Sequence, residues 1–294
     1  MDRSYQIITD ATCDLPAELV EKLHLAVIPM PFMMDGIEYR DYPDCREYSE
    51  PDFYNALRGG KWATTAQITE ADFEDAFRPY LDAGQDVLYI GFSSGLSGTW
   101  QRACEAMESL RSQYPQRCIE GVDSLTATLG EGLLVYLACC KQRDNNFSLH
   151  ELKAWVELYR YCISGWFMVD DLNHLKRGGR VSSAAALVGS VLGIKPILQI
   201  DREGHLIVRE KVRGRRQAMN NLLDKMASRF TQDTSLQTVF IVHADCMPDA
   251  KYLEKEVRSR FKPQKIITHQ LGPVIGAHTG ANAMCIFYVA KDRD

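Results

Sequence analysis

The segment Gly91-Phe92-Ser93-Ser94-Gly95-Leu96-Ser97-Gly98-Thr99 lies between a strand-like run and a helix-like run. Its glycines allow tight backbone geometry, and free N–H groups at a helix start favour an anion. Serine hydroxyls add further donors. The segment therefore reads as a cradle for a carboxylate or a phosphate. A simple strand-to-helix turn with a serine N-cap would use the same residues. Gly91 to Gly95 also spells G-x-S-x-G, the nucleophile elbow of α/β hydrolases, with Ser93 as the nucleophile. Asp170 or Asp245, followed by His278, completes a Ser, Asp, His order. An esterase using Ser93 is thus the enzyme alternative, although the pattern is short and its residues are common.

Three other segments carry suitable groups. In Leu175-Lys176-Arg177-Gly178-Gly179-Arg180-Val181, cations surround a glycine pair. Lys176 and Arg177 fit a solvated helix C-terminus, where cations complement the dipole. Arg180 lies beyond the break, and its donor fork suits a carboxylate or phosphate. In Gly272-Pro273-Val274-Ile275-Gly276-Ala277-His278-Thr279-Gly280, glycines bracket His278, which can donate a hydrogen bond to an anion. In Thr64-Thr65-Ala66-Gln67-Ile68-Thr69-Glu70, Thr69 reads as an N-cap with Asp72 at N3. Thr65 and Gln67 lie upstream of that cap, free to face a cleft. The remaining histidines are scattered without H-E-x-x-H spacing, so no metal site is expected. Burying an ionised carboxylate requires several donors and a cation to converge on it. Thr, Ser, Arg and His form such a set.

Positioning these segments requires alternating strands and helices. Tyr5–Asp10, Val87–Phe92 and Ile119–Asp123 read as strands. Phe73–Ala83, Ser97–Leu110, Gly132–Gln142 and Leu149–Tyr161 read as helices. That alternation predicts a parallel α/β sheet. Val27–Phe32 reads as an edge or irregular strand because Pro29 and Pro31 interrupt it. Beyond the strand Trp166–Val169 the character changes. Ser182–Leu192 reads as a small-residue helix, and Asp201–Gly204 as a hairpin turn between Ile194–Ile200 and His205–Lys211. An antiparallel or mixed sheet follows. The expected boundary lies near Gly165, giving domains 1–165 and 166–294.

The length of 294 residues suits two domains or one large α/β unit. A net charge of -5 argues against a nucleic-acid binder, which carries a basic footprint. Nine cysteines, odd in number and without C-x-x-C, read as reduced thiols in a cytoplasmic protein. The most apolar window, Ala184–Ile200, is interrupted by Gly189, Gly193, Lys195 and Pro196 and falls short of a membrane span.

Taken together and in this order, the four segments resemble the DegV family of fatty-acid-binding proteins. So do Ile8-Thr9-Asp10-Ala11-Thr12-Cys13-Asp14-Leu15-Pro16, Asp123-Ser124 and Leu192-Gly193-Ile194-Lys195-Pro196-Ile197-Leu198. The similarity spans nearly the whole chain. It implies two domains: an N-terminal, Rossmann-like parallel α/β sheet and a C-terminal α+β domain with a mixed or antiparallel sheet. One lipid lies between them. It also implies a non-catalytic carrier with no cofactor, whose ligand is a long-chain fatty acid. The carrier presents the carboxylate to a separate ATP-dependent fatty acid kinase, which makes an acyl phosphate for phospholipid synthesis. Transient contact with a membrane surface is compatible with that role. By motif, Thr65, Ser93, Ser94, Arg180 and His278 match the residues around the carboxylate. Which serine makes the main contact stays open, and Ser97 is expected inside the helix start. Met30, Phe32, Leu187, Val191 and Leu192 either line the tail tunnel or pack as ordinary core. The family's T-S-Q-P-S, I-T-D-S-T and H-T-G-P-G become Thr65-Ala66-Gln67-Ile68-Thr69, Ile8-Thr9-Asp10-Ala11-Thr12 and His278-Thr279-Gly280-Ala281-Asn282. The named donors survive all three changes.

Overall fold

A computed structural model describes residues 4–170, 172–181, 193–231 and 238–293. The expected helix Ser182–Leu192, with Leu187, Val191 and Leu192, lies outside the described residues. The first half runs β1 (Tyr5–Asp10), α1 (Ala17–Lys22), β2 (Ala26–Ile28), β3 (Met30–Met34), β4 (Ile37–Asp41), α2 (Glu50–Arg58), β5 (Ala63–Thr65), α3 (Glu70–Asp82), β6 (Asp86–Gly91), α4 (Thr99–Gln113), β7 (Ile119–Asp123), α5 (Leu129–Asn145) and α6 (Leu149–Tyr159). The second half runs β8 (Ile163–Met168), α7 (Asn173–Arg177), β9 (Ile194–Ile200), β10 (Leu206–Arg213), α8 (Arg215–Arg229), β11 (Thr238–His243), α9 (Met247–Phe261), β12 (Lys265–Gln270), α10 (Pro273–Thr279) and β13 (Met284–Val289).

The first sheet is parallel throughout, in the order β2-β1-β6-β7. Every residue of β6 is buried, as expected for a strand covered on both faces. The second sheet, β10-β9-β8-β13-β11-β12, is mixed: only β11 and β12 pair in parallel. β9 and β10 form the expected hairpin, with Asp201 to Gly204 at its turn. The helix α5 packs against strands of both sheets. Its Leu129, Leu133, Leu134, Val135, Leu137 and Ala138 are all buried, the pattern of a helix apolar on several sides.

The extended run around Val27–Phe32 divides into two strands that serve different sheets. β2 ends at Ile28 beside β1, and β3 starts at Met30 in a separate antiparallel sheet of order β4-β3-β5. Pro29 stands at the break, where it has no N–H to give to either ladder. This small sheet carries Thr65 at the end of β5.

Buried carboxylates of the first half fix the start of α10. That helix opens with Pro273 and receives no side-chain cap from Gly272. Instead, Asp14 Oδ1 accepts from the Gly272 N–H at 3.0 Å, and Asp41 Oδ2 accepts from the Val274 N–H at 3.4 Å. The Tyr54 hydroxyl donates to the Leu271 carbonyl at 2.8 Å. Burial pushes the Asp41 carboxyl up to about 8. Burial and the neighbouring Asp41 raise Asp14 as well.

An Asp titrates near pH 4 in the unfolded chain. The folded chain therefore holds a proton on Asp41 that the unfolded chain has lost, and stability from this group falls as pH rises towards about 8. Asp41→Asn keeps an acceptor for Val274 and removes the titration. Its melting temperature should gain on the wild type between pH 4 and pH 8 and hold a constant advantage above that. Thermal unfolding across that range is the check, and parallel profiles would disprove the assignment.

Candidate functional site

An apolar cavity lies where the two halves face each other. Phe92, Leu96, Ala127 and Thr128 line it from the first half, and Phe167, Cys285 and Phe287 from the second. Cys285 pairs with Phe167 in the sheet, and Phe287 with Gly165, two residues further along β13. At that deeper level Ile200 and Leu206, partners across the hairpin, close the wall. Of the expected tail residues, Met30 lines the cavity, whereas Phe32 is buried in the aromatic cluster with Tyr39, Tyr48 and Phe53.

The polar end is assembled from both halves. Thr65 Oγ1 lies 2.8 Å from His278 Nε2, joining β5 to α10. Arg180 donates from Nε to the Leu96 carbonyl at 2.9 Å and from Nη1 to the Gly178 carbonyl. Thr65, Arg180 and His278 all line the cavity, and Ser97 joins them. The Ser97 hydroxyl lies 2.9 Å from the Thr99 hydroxyl and accepts from the Thr99 N–H at 3.2 Å. Sequence reasoning placed Ser97 inside the helix start. The residue instead precedes α4 and faces the cavity; the signal was its place just before the Gly98 N-cap.

Ser93 and Ser94 sit elsewhere. The Ser93 hydroxyl is fully buried, donates to the Gly204 carbonyl at 3.0 Å and accepts from the Gly95 N–H at 3.1 Å. The hairpin turn of the second half thus seats on the serine loop. A Cβ on Gly95 would lie 2.8 Å from the Glu203 carbonyl oxygen, so this approach requires glycine. The Ser94 side chain is exposed, and its N–H donates to Asp123 Oδ1 at 3.2 Å. Neither serine lines the cavity. Gln67 reaches the α4 N-terminus, where a Cβ on Gly98 would lie 2.5 Å from its Nε2.

The hydrolase arrangement does not form. His278 pairs with Thr65, not with Ser93. Asp245 is engaged by Arg58, and Asp170 by Lys195, Arg215 and Asn282. No Ser-His-Asp chain exists among the described residues. Two groups outside the cavity, Cys118 with Glu120 and His150, and Asp201 with Glu203 and His205, bring metal-capable atoms within 4.8 Å of one another.

Electrostatically the site is a cation beside a neutral imidazole. Burial, then the charges of Arg180 and His174, pushes His278 down to about 4, so the ring is neutral near pH 7. Among the described residues no carboxylate pairs with Arg180, which is stripped of part of its water by burial. With the Nε2 proton on the histidine, the ring donates to Thr65 and frees the Thr65 hydroxyl to donate to a ligand. An anion with an apolar body matches these surroundings.

The fold and cavity define a two-domain α/β protein with an apolar chamber between its two main sheets. Residues 4–291 match the DegV family of uncharacterised proteins, and the chain belongs to that family. It is 37% identical over 292 residues to a DegV domain-containing protein of Clostridium perfringens, covering 99% of each chain. The fatty-acid-binding DegV family protein of Thermus thermophilus has a similar fold (TM-score 0.84, 29% identity, 98% of this chain and 99% of that one). The fatty acid binding protein DegV of Bacillus subtilis is equally similar in fold (TM-score 0.84, 27% identity, 98% of this chain and 100% of that one).

Gly178 controls the histidine. Its φ of -69° suits any residue, but a Cβ there would overlap His278 Nδ1. Gly178→Ala should push the ring away from Thr65 and towards solvent. In histidine-resolved NMR titrations, the His278 value should rise from about 4 towards the ordinary 6.5 or so. An unchanged titration would mean that the ring is held from elsewhere.

Proposed function

We propose that this chain is a non-catalytic carrier of a long-chain fatty acid. The tail lies in the apolar cavity, and the carboxylate is held at the end formed by Thr65, Ser97, Arg180 and His278. The observation that carries this reading is the convergence of those donors, from both halves, on a chamber whose other lining side chains are apolar apart from Thr128 and Thr279. The Thermus and Bacillus relatives, which bind fatty acids, support it. Ser93 and Ser94 match the ligand serines by motif. In this geometry Ser93 buttresses the loop against Gly204, and contact with the ligand falls to Ser97. The proposed domains are 1–165 and 166–294; β8, which opens the second half, begins at Ile163.

The energetics suit an acyl chain. Each buried CH₂ contributes about 0.8 kcal/mol, so roughly ten contribute about 8 kcal/mol before the entropy of association. Phe92, Phe167 and Phe287 offer ring faces and edges to such a chain along the chamber wall. In this reading the bound carboxylate is the substrate of a separate ATP-dependent kinase that feeds phospholipid synthesis, in the cytoplasm. No described helix is long and apolar enough to cross a membrane.

Mass spectrometry of organic extracts of the purified protein should find fatty acid, or the protein should take it up when it is added. A charge-assisted hydrogen bond contributes about 1.5–3 kcal/mol, so Arg180→Ala should weaken uptake roughly ten- to a hundred-fold. Thr65→Val should weaken it less, by about ten-fold at most. Repeated absence of both bound and captured lipid would sink the reading.

A further inference from the structure

At the outer edge of the first sheet three metal-capable side chains meet. β7 is an edge strand of that sheet, and α6 packs against it. Cys118 leads into β7, and its carbonyl extends the ladder by accepting from the Val87 N–H at 2.9 Å. Residues two apart on extended backbone share a face, so the Cys118 thiol and the Glu120 carboxylate stand on one side of the strand. His150, in the first turn of α6, reaches the same spot. The Cys118 sulfur lies 3.8 Å from His150 Nε2, and all three groups bring a ligand atom within 4.8 Å of one another.

That set suits one class of ion. Thiolate, imidazole and carboxylate are the ligands of zinc, whereas magnesium and calcium take oxygen. Tetrahedral bonds of roughly 2.0–2.3 Å place ligand atoms about 3.3–3.7 Å apart, so Cys118 and His150 stand close to ligand spacing. Cys118 and Glu120 are half-buried, and exposed His150 can swing through the remaining distance. The carboxylate has a competitor, because Lys153 donates to Glu120 Oε2 at 2.7 Å. That lysine also has Glu157 at 3.9 Å, one turn along α6, to turn to. Arg111 approaches the same oxygen, at 4.0 Å, and Oε1 has no partner among the described residues. A surface hollow of about 450 Å³ opens beside Cys118 and Glu120 and offers room for a further ligand.

We propose that Cys118, Glu120 and His150 form a three-ligand zinc site, with water from the hollow as the fourth ligand. On binding, the Cys118 thiol gives its proton to solvent and the thiolate sulfur bonds the metal. The neutral imidazole and the carboxylate bond without losing a proton. Two anionic ligands then balance the charge of the ion. The ion ties the edge strand to its covering helix and stabilises the first half by mass action. The site shares no residue with the apolar cavity and does not depend on the fatty-acid reading.

The test titrates the reduced, chelator-treated full chain with cobalt(II) and then with zinc. Cobalt should give a thiolate-to-metal charge-transfer band and the intense visible bands of four-coordinate geometry, and zinc should bleach both. Affinity is read by competition with a chromophoric chelator. Even the outer partners of metal ligands are worth roughly 10–100-fold, so His150→Ala should weaken zinc binding about a hundred-fold. Cys118→Ser should weaken it at least as much and abolish the charge-transfer band. Lys153→Ala releases Glu120 and should tighten binding by up to about ten-fold. Zinc should raise the melting temperature of the wild type but not of His150→Ala. His150 is exposed, so its variant tests the site even where Cys118→Ser fails to fold. Cobalt spectra without the thiolate band, or zinc binding unchanged in His150→Ala, would assign any bound metal to other groups, such as the remaining cysteines of the nine, and overturn the proposal.

Discussion

A helix that starts with proline leaves its first free N–H groups to be satisfied by something else. In α10 that acceptor set is a pair of buried carboxylates from the other half of the chain, Asp14 and Asp41. Carboxylates at a helix N-terminus are favoured by its dipole, and burial strengthens the interaction while raising the energy of the charged forms. Tyr54 closes the same junction through the Leu271 carbonyl. Once the start of α10 is fixed, His278 near its far end must lie beside Thr65, because α10 packs against β5. The polar end of the cavity therefore depends on an interaction at the opposite end of α10.

Close backbone approaches then set the remaining geometry. Gly178 lets the turn after α7 touch the His278 ring, and Gly95 lets the β9–β10 turn settle on the serine loop. The Gly95 contact crosses between the halves, and the Gly178 contact fixes the histidine within the second half. A ligand bound by Thr65 and Ser97 on one side and Arg180 and His278 on the other adds a further bridge. Such a ligand stabilises the assembled form by mass action, because only the assembled form binds it.

Local chemistry was the most readable part of the sequence. The Thr69–Asp72 capping box, the β6 strand and the Asp201–Gly204 turn all rest on neighbouring residues, and all appear in the structure. Long-range consequences were less readable. Asp14, for example, is a left-handed residue whose carboxylate reaches a backbone group 258 positions away. Glycines bracket His278 in the Gly272–Gly280 run, yet Pro273–Thr279 is helical because outside acceptors supply its cap. The choice among Ser93, Ser94 and Ser97 depended on which residue the hairpin turn would cover, and no local pattern encodes that.

The charge balance of the site argues for its occupant. A half-buried guanidinium with two carbonyl partners is incompletely compensated: carbonyl dipoles satisfy its N–H groups but not its net charge. Its neighbour His278 is neutral and cannot supply the missing negative charge. Nor can the cavity walls, where no aspartate or glutamate stands among the described residues. Water can solvate the outer face of Arg180, but a carboxylate would neutralise it and accept from the same donors. Neutral His278 suits that arrangement better than a second cation would. It orients Thr65 without adding a buried charge that one carboxylate could not balance.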